Sequence, residues 1–430
     1  MTTLAVLAAP PADAATMLKA YVVLVFAIPA ALGIAALGTA GSPATILSMA
    51  LFVWWIWYHV QRPAPLGSRR PLTRIAALTF LFVVVLVYLH GVSSGMLPGD
   101  ELSPADSGLL KVLGLVGVVL VASDGITTSE RQRAVITVLV IAVGAVAVLA
   151  IVQSVTRQPW VDRISIPGLT SRSDGAYVDT RNGFARPSGT AIHPIEFGVT
   201  MTMGLPLVVA FALHSRRSPW GYRILLGLVA FAIFLSISRS AILCAAAALL
   251  VMALRWSWKT RLVALLSVLG MFVVVNLAVP GLLGTITAMF TGISGDNSAA
   301  SRTGSYDVVG LFISHSPWLG RGFGTFIPRY QILDNAYLMI LIDSGVVGLL
   351  ALVFVIGAAI VCARRATRSA ANAFDAEIAH ALLAGIVAGC VGFLFFDGFA
   401  FPQAAGTWFL LMGLAGASWR ISRRAGVHPA

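Results

Sequence analysis

The sequence predicts an all-α polytopic membrane protein with about 12 transmembrane helices. Three observations lead there. Of 430 residues, 58% are hydrophobic and only 11% charged, where a soluble domain carries roughly a quarter. The mean hydropathy is +0.90. Apolar runs of about 20 residues, enough to cross a bilayer as a helix, recur along the chain. These exclude an ordinary cytosolic enzyme, a disordered chain and a disulfide scaffold. Cys244, Cys362 and Cys390 all sit in apolar runs, so neither a disulfide framework nor a thiolate metal site is expected.

The expected spans are 18–38, 43–61, 74–91, 107–123, 134–153, 190–213, 222–237, 239–254, 262–279, 335–362, 377–397 and 404–420. Residues 1–17 lack a basic region ahead of an apolar core, so the first span reads as an uncleaved anchor. Residues 222–254 need a decision. One helix of that length would run about 50 Å, against a hydrocarbon core of about 30 Å. Charge decides for two spans. With two, and a cytoplasmic N-terminus, 19 of the 29 basic residues fall on the cytoplasmic side, as the positive-inside rule asks. With one, nine of these would move outside. The stretch therefore reads as a hairpin whose outer tip is Ser236-Ile237-Ser238-Arg239-Ser240, and both termini read as cytoplasmic.

The net charge of +12 is thus a matter of topology, and no nucleic-acid partner is expected. Lys111 falls inside the fourth span, near its outer end. Nine Arg remain for the outer face: Arg157, Arg163, Arg172, Arg181, Arg186, Arg239, Arg302, Arg321 and Arg329. Eight of them occupy two long outer segments, 154–189 and 280–334, within a single membrane domain of 1–430. Long polar loops between membrane helices are uncommon without a task.

The first segment ends Arg186-Pro187-Ser188-Gly189-Thr190-Ala191-Ile192-His193-Pro194-Ile195-Glu196-Phe197. Arg186 reads either as an anion contact or as an Arg snorkelling to headgroups. His193 reads as an acid or base, or as a structural partner of Glu196 three residues on. Arg239 interrupts an apolar stretch, where a charge costs roughly 2.5–3.5 kcal/mol on insertion scales and usually marks a site. The second segment carries Ser301-Arg302-Thr303-Gly304, then Val308, Val309, Leu311 and Phe312 in the pattern of a short interfacial helix. Its Gly320-Arg321-Gly322-Phe323-Gly324 has no strand before it and is not a dinucleotide loop. Asp334 opens the tenth span, as an N-cap or as a reactive carboxylate. Asp343 lies about 13 Å deeper by helical rise; as an intramembrane carboxylate it is a functional candidate, with an outer Arg as its partner. Asp397 suits pairing or catalysis equally.

Three stretches resemble one superfamily: the O-antigen ligases, the Wzy-type O-antigen polymerases and related exopolysaccharide polymerases. Arg186 to Phe197 is similar to the family's Arg–Ser–Gly segment followed by His/Asn-Pro-x-Glu-Phe. Ser238-Arg239-Ser240 is similar to its Ser-Arg-Ser/Thr turn. Ser301-Arg302 through His315-Ser316-Pro317-Trp318 to Phe326, with Asp334-Asn335-x-Tyr337-Leu338 and Gly345-x-x-Gly348, resembles its C-terminal signature. The likeness covers about 180–350. Family ligases usually carry His ahead of a Gly where this chain has Asp334 and Gly345.

The resemblance implies a GT-C-like helical bundle in the bacterial cytoplasmic membrane, with an extracytoplasmic active site. It implies an inverting glycosyl transfer, without metal or cofactor, from a polyprenyl diphosphate donor such as undecaprenyl diphosphate to a sugar hydroxyl. It assigns the diphosphate to Arg186, Arg239 and Arg302, with Arg321 behind them, and glycan contacts to Asn335 and Tyr337. Asp334 becomes the base, with His193 the runner-up. A guanidinium fits this task because it is permanently charged and binds phosphate through a fork of donors. Surface polysaccharide polymerisation is the leading expectation. The alternatives are attachment of a finished glycan to a lipid or protein, a lipid-linked glycan flippase or transporter, and a cell-wall glycan polymerase.

Overall fold

The computed structural model describes residues 13–61, 71–95, 97–171, 178–215, 218–291 and 305–427. Every apolar stretch named above carries a helix. These are α1 (Ala14–Ala27), α2 (Pro43–Gln61), α3 (Leu72–Ser93), α4 (Gly99–Gly125), α5 (Ser129–Thr156), α6 (Pro194–His214), α7 (Pro219–Leu235), α8 (Arg239–Ala253) and α9 (Trp258–Ala278). After the short α10 (Leu282–Thr291) and α11 (Ser305–His315) come α12 (Ala336–Ser369), α13 (Ala373–Gly392) and α14 (Pro402–Val427). Among the described residues, eight helices are long and apolar enough to cross a membrane, so the chain is an all-α polytopic membrane protein. Polar caps set several starts. Thr128, Ser238, Ser257, Asn335 and Asn372 each accept an N–H from the turn that follows.

The first span is shorter than 18–38. It ends at Ala27, and Ile28 is extended, because Pro29 disfavours helical backbone in the residue before it. The chain then forms a two-residue strand β1 (Leu32–Gly33), antiparallel to β2 (Thr170–Ser171).

Side-chain contacts define two ends of the bundle. At one end Arg133 pairs with Asp375, Arg420 donates to the Ser123 and Ile126 carbonyls, and Arg255 donates to Thr367. At the other end lie β1–β2, the segment before α6, the α7–α8 turn, α10 and the loop before α12. Arg186, Arg239, Arg321 and Arg329 are all here, at the end opposite Arg133, Arg255 and Arg420.

α6 is the central helix, with 94% of its apolar window buried. It packs between α13, α7 and α8. Close approach to α13 needs Gly385, where a Cβ would stand 2.6 Å from the Met203 carbonyl oxygen; small residues let membrane helices meet at backbone distance.

α12 is broken. Gly345 has φ +62° and ψ −169° inside it, and a Cβ there would lie 2.3 Å from the Trp318 backbone. The loop before the helix fills the break. Val346 and Val347 N–H donate to the Pro317 and Trp318 carbonyls at 2.9 and 3.2 Å, while Arg321 and Gly322 N–H donate to the Asp343 carbonyl at 3.1 and 2.8 Å. The buried Asp343 carboxylate accepts from Gly324 N–H at 2.7 Å and Phe326 N–H at 3.0 Å. This corrects the expectation of an Arg partner for Asp343. Backbone amides meet it first, and it clasps the loop to the helix. Asp343→Ala leaves two buried N–H groups unanswered. It is expected to cost about 3 kcal/mol and to lower the melting temperature in detergent, with Asp343→Asn losing less because one oxygen still accepts.

Candidate active site

The segment before α6 delivers Arg186 on a hairpin. Strand β3 (Asp179–Arg181) runs antiparallel to β4 (Phe184–Arg186), with Asp179 opposite Arg186. Asn182 and Gly183 supply the turn with φ of +51° and +81°, the double positive φ that a two-residue hairpin favours. Arg186 is buried. Its Nη1 donates to Asp179 Oδ2 at 2.6 Å and its Nε to the Ser236 carbonyl at 3.1 Å. Burial lowers the affinity of this guanidinium for its proton, and Asp179 opposes the shift. Arg nevertheless stays charged in proteins, so the site holds a fixed positive charge.

Ser236 belongs to the turn that carries Arg239. α7 ends at Leu235 and α8 begins at Arg239, as the hairpin reading placed them. Between them Ile237 has φ +45°, a strained conformation for a β-branched residue. The Ser238 hydroxyl accepts from Ala241 N–H at 3.4 Å. Half-buried Arg239 donates from Nη1 to the Met289 carbonyl, 2.9 Å away in the last turn of α10. A cation at a helix N-terminus opposes the helix dipole. An anion there would be favoured by the dipole and the guanidinium together.

His193 stands just outside α6 and caps it, its Nδ1 accepting from Ile195 N–H at 3.1 Å. Burial first, then the Arg186 charge, hold the imidazole down to about 4, against a smaller upward pull from Asp179. Nε2 is then the N–H of the neutral ring and is left as a donor. Glu196 does not pair with the imidazole in the way a surface pair would. Its carboxylate is buried and accepts from Ile192, Gln403 and Ala404 N–H, which fixes the start of α6 to that of α14.

Asp334 precedes α12, whose N-cap is Asn335 rather than Asp334. The Asn335 side-chain oxygen accepts from Tyr337 and Leu338 N–H, and the Tyr337 hydroxyl donates to the Cys390 carbonyl at 2.9 Å. Ala336 N–H reaches the Phe393 carbonyl at 2.9 Å. Asp334 is therefore held beside the chain that follows α13. That chain includes Asp397, whose carboxyl burial pushes up to about 6, with Lys111 opposing and Asp334 adding. Phe401 connects the two groups of residues: its ring is 6.4 Å from His193 and 5.4 Å from Phe396, the neighbour of Asp397.

Arg321 lies elsewhere. Its Nη2 bonds both oxygens of the fully buried Glu101 at 3.2 and 3.0 Å. Tyr330 donates to the same carboxylate, and the Phe312 ring centroid is 5.2 Å from the guanidinium. This group ties the clasp loop to the start of α4. Arg302 lies outside the described residues. Arg186 thus acts on His193 and is bonded to the turn that carries Arg239, whose guanidinium turns to Met289; Asp334 acts on Asp397, and Arg321 is bonded to Glu101. Sequence reasoning missed Asp179, Glu101 and the pull of the Lys111 charge on Asp397. Only Asp179 had a local signal, the Asn182-Gly183 turn midway between it and Arg186. Among the described residues no three His, Cys, Asp or Glu side chains cluster as a metal site.

Residues 224–353 match the family model described as O-antigen ligase. No curated protein matches the chain. The matched segment contains Arg239, Asp334 and Gly345, and leaves Arg186 and His193 outside. It supports the O-antigen ligase and Wzy-type superfamily recognised from the sequence, and with it a membrane enzyme of ligase or polymerase type.

The cap at His193 carries a pH signature. The folded imidazole takes a proton near 4, the unfolded one near 6.5. Between those values the unfolded chain binds more protons, so stability falls as pH drops from about 6.5 to 4. His193→Asn is expected to keep the cap and remove this limb of the melting profile. His193→Ala is expected to lose about 1 kcal/mol at pH 7.

Proposed function

We propose that the chain transfers a glycan from a polyprenyl diphosphate donor to the hydroxyl of an acceptor sugar, with inversion, on the extracytoplasmic side of the bacterial cytoplasmic membrane. The observation that carries this reading is that Arg186 is bonded to the strained turn from which Arg239 projects. Arg186 is bound to the Ser236 carbonyl and Arg239 leaves the chain three residues later. A diphosphate is the anion that such a pair suits, since each Arg offers a fork of donors.

In the proposed reaction the acceptor oxygen attacks the anomeric carbon from the face opposite the diphosphate. The bond from that carbon to the diphosphate oxygen breaks, and its electron pair leaves with the diphosphate. Arg186, Arg239 and Arg302 meet the charge as it grows, an arrangement worth most where water is excluded. The acceptor proton passes to the Asp334 carboxylate; His193, whose Nδ1 accepts the cap hydrogen bond, carries its proton on Nε2 and can only donate there. Asn335 and Tyr337 hold the start of α12, and so Asp334, in place. Arg321 supports the reaction through the clasp loop. The donor's isoprenoid tail stays in the membrane. Polymerisation of a surface polysaccharide is the proposed setting; attaching a finished glycan to a lipid or protein uses the same chemistry, and the length distribution of products from purified donor separates the two.

Donor-dependent bond formation in detergent tests the assignment. Arg239→Ala and Arg186→Ala are each expected to lower turnover by on the order of 10²–10³-fold, and Arg239→Lys to fall well short of wild type because the fork is lost. Full activity in either Ala variant removes that residue from the mechanism. Asp179→Asn frees Arg186 from a competing carboxylate and is expected to lower the donor KM several-fold.

A further inference from the structure

Trp318 enters the break in α12 with its backbone only. Its carbonyl accepts from Val347 N–H, while its side chain is 68% exposed. Helix geometry sets what the indole stands over. Residues three and four apart share a face, so Val346 and Val347 head a column that continues through Leu350, Val353 and Phe354. Those three are exposed apolar side chains in the spanning part of α12, the face such a helix turns to lipid. On the other side of Trp318, Ser314 and His315 are exposed polar residues. Trp318 thus lies between an apolar stripe and a polar loop.

Two helices give its depth. From Gly345 to the exposed Arg364, α12 rises about 28 Å, close to the hydrocarbon thickness of about 30 Å. Arg364, Arg365 and Arg368 mark one boundary, so Gly345 and Trp318 stand at the other. α13 packs beside α12 and gives the same level independently. Its 20 residues rise about 30 Å, and the Phe393 carbonyl just beyond its end accepts from Ala336 N–H at 2.9 Å. Both ends of 336–345 therefore lie at one boundary. The positive φ of Gly345 turns this segment, so it runs along the membrane surface and not through it.

We infer that Trp318 anchors the clasp loop to the phospholipid leaflet at this end of the bundle, with its indole at the glycerol level, and that residues 336–344 lie flat in the headgroup layer. The indole suits that place because its body is apolar and its N–H can reach a lipid oxygen. Asp343 then stands at the boundary, where an unbroken helix would set it about 13 Å deeper than Asp334. The anchor follows from helix lengths and exposure, and it holds whatever reaction the chain performs.

Depth-dependent fluorescence quenching of the full chain in phosphatidylcholine vesicles tests it. The signal of Trp318 is the difference between the wild type and Trp318→Phe, a change at an exposed side chain. That signal should lose more intensity to lipids brominated high on the acyl chain than to lipids brominated near the chain end, and little to acrylamide in the water. Phe354→Trp, made in the Trp318→Phe chain, lies about 13 Å below the break and should reverse the order of the two lipids. Strong quenching by acrylamide with none from either lipid places Trp318 in water, as a stacking platform for sugars would require, and overturns the anchor. Stronger quenching by the deep bromines puts the indole in the hydrocarbon core and overturns it as well.

Discussion

A guanidinium cannot shed its charge, so burying Arg186 obliges the chain around it to supply acceptors. That constraint organises the loop-bearing end of the bundle. Asp179 answers one nitrogen and the Ser236 carbonyl another. The first contact requires the β3–β4 hairpin, and the second requires the α7–α8 turn to present a carbonyl to it. Ile237 is held at φ +45° in that turn, a cost that persists only where the surroundings over-determine it. One buried cation therefore fixes two connections that are 50 residues apart in sequence, and the same turn fixes where Arg239 emerges.

The broken helix α12 applies similar logic with the signs reversed. Asp343 is a buried carboxylate and needs donors. The glycine-rich loop provides backbone N–H groups, and Gly345 opens the helix so that Trp318 can enter. The Arg321 side chain meanwhile reaches the buried Glu101 of α4. Asp334 sits nine residues ahead of Asp343 on the same chain. The clasp that satisfies one carboxylate thus helps to place the other, and charged residues that look alike in sequence divide into those that build the site and those able to act in it.

Much of this was legible beforehand. Hydropathy placed a helix at each apolar stretch, eight of them among the described residues long and apolar enough to cross a membrane, and the distribution of Arg chose a hairpin over a single long helix at 222–254; the Ser236–Arg239 turn lies where that choice put it. Less legible was anything decided by tertiary partners. The early end of α1 follows from Pro29 and from the pairing of β1 with β2, whose partners lie 137 positions or more apart in the chain. Asp343 and Arg321 were both read as charges in search of ions. For Asp343 the actual partners are main-chain amides, which carry no residue-type signature. For Arg321 the partner is Glu101, far away in sequence. The cap at His193 was hidden for another reason: an imidazole nitrogen in place of a Ser or Asp oxygen does not read as a helix start.

Helix length links the proposed chemistry to the membrane. α7 has 17 residues and α8 has 15, so they rise only about 25 and 22 Å through a hydrocarbon core of about 30 Å. Their far ends carry interfacial anchors: Trp220 and Arg223 on α7, and Arg255 with Trp258 just beyond α8. On the proposed orientation, with those ends at one boundary, the Ser236–Arg239 turn stops several ångströms short of the other, beside the apolar residues Leu235, Ile237 and Met289. Charge interactions strengthen as the local dielectric falls, and a recess at this depth is reached by a phosphate attached to a membrane-resident lipid more readily than by a soluble anion. On the proposed reading, the shortness of two helices is what reserves the guanidinium pair for a lipid-borne diphosphate.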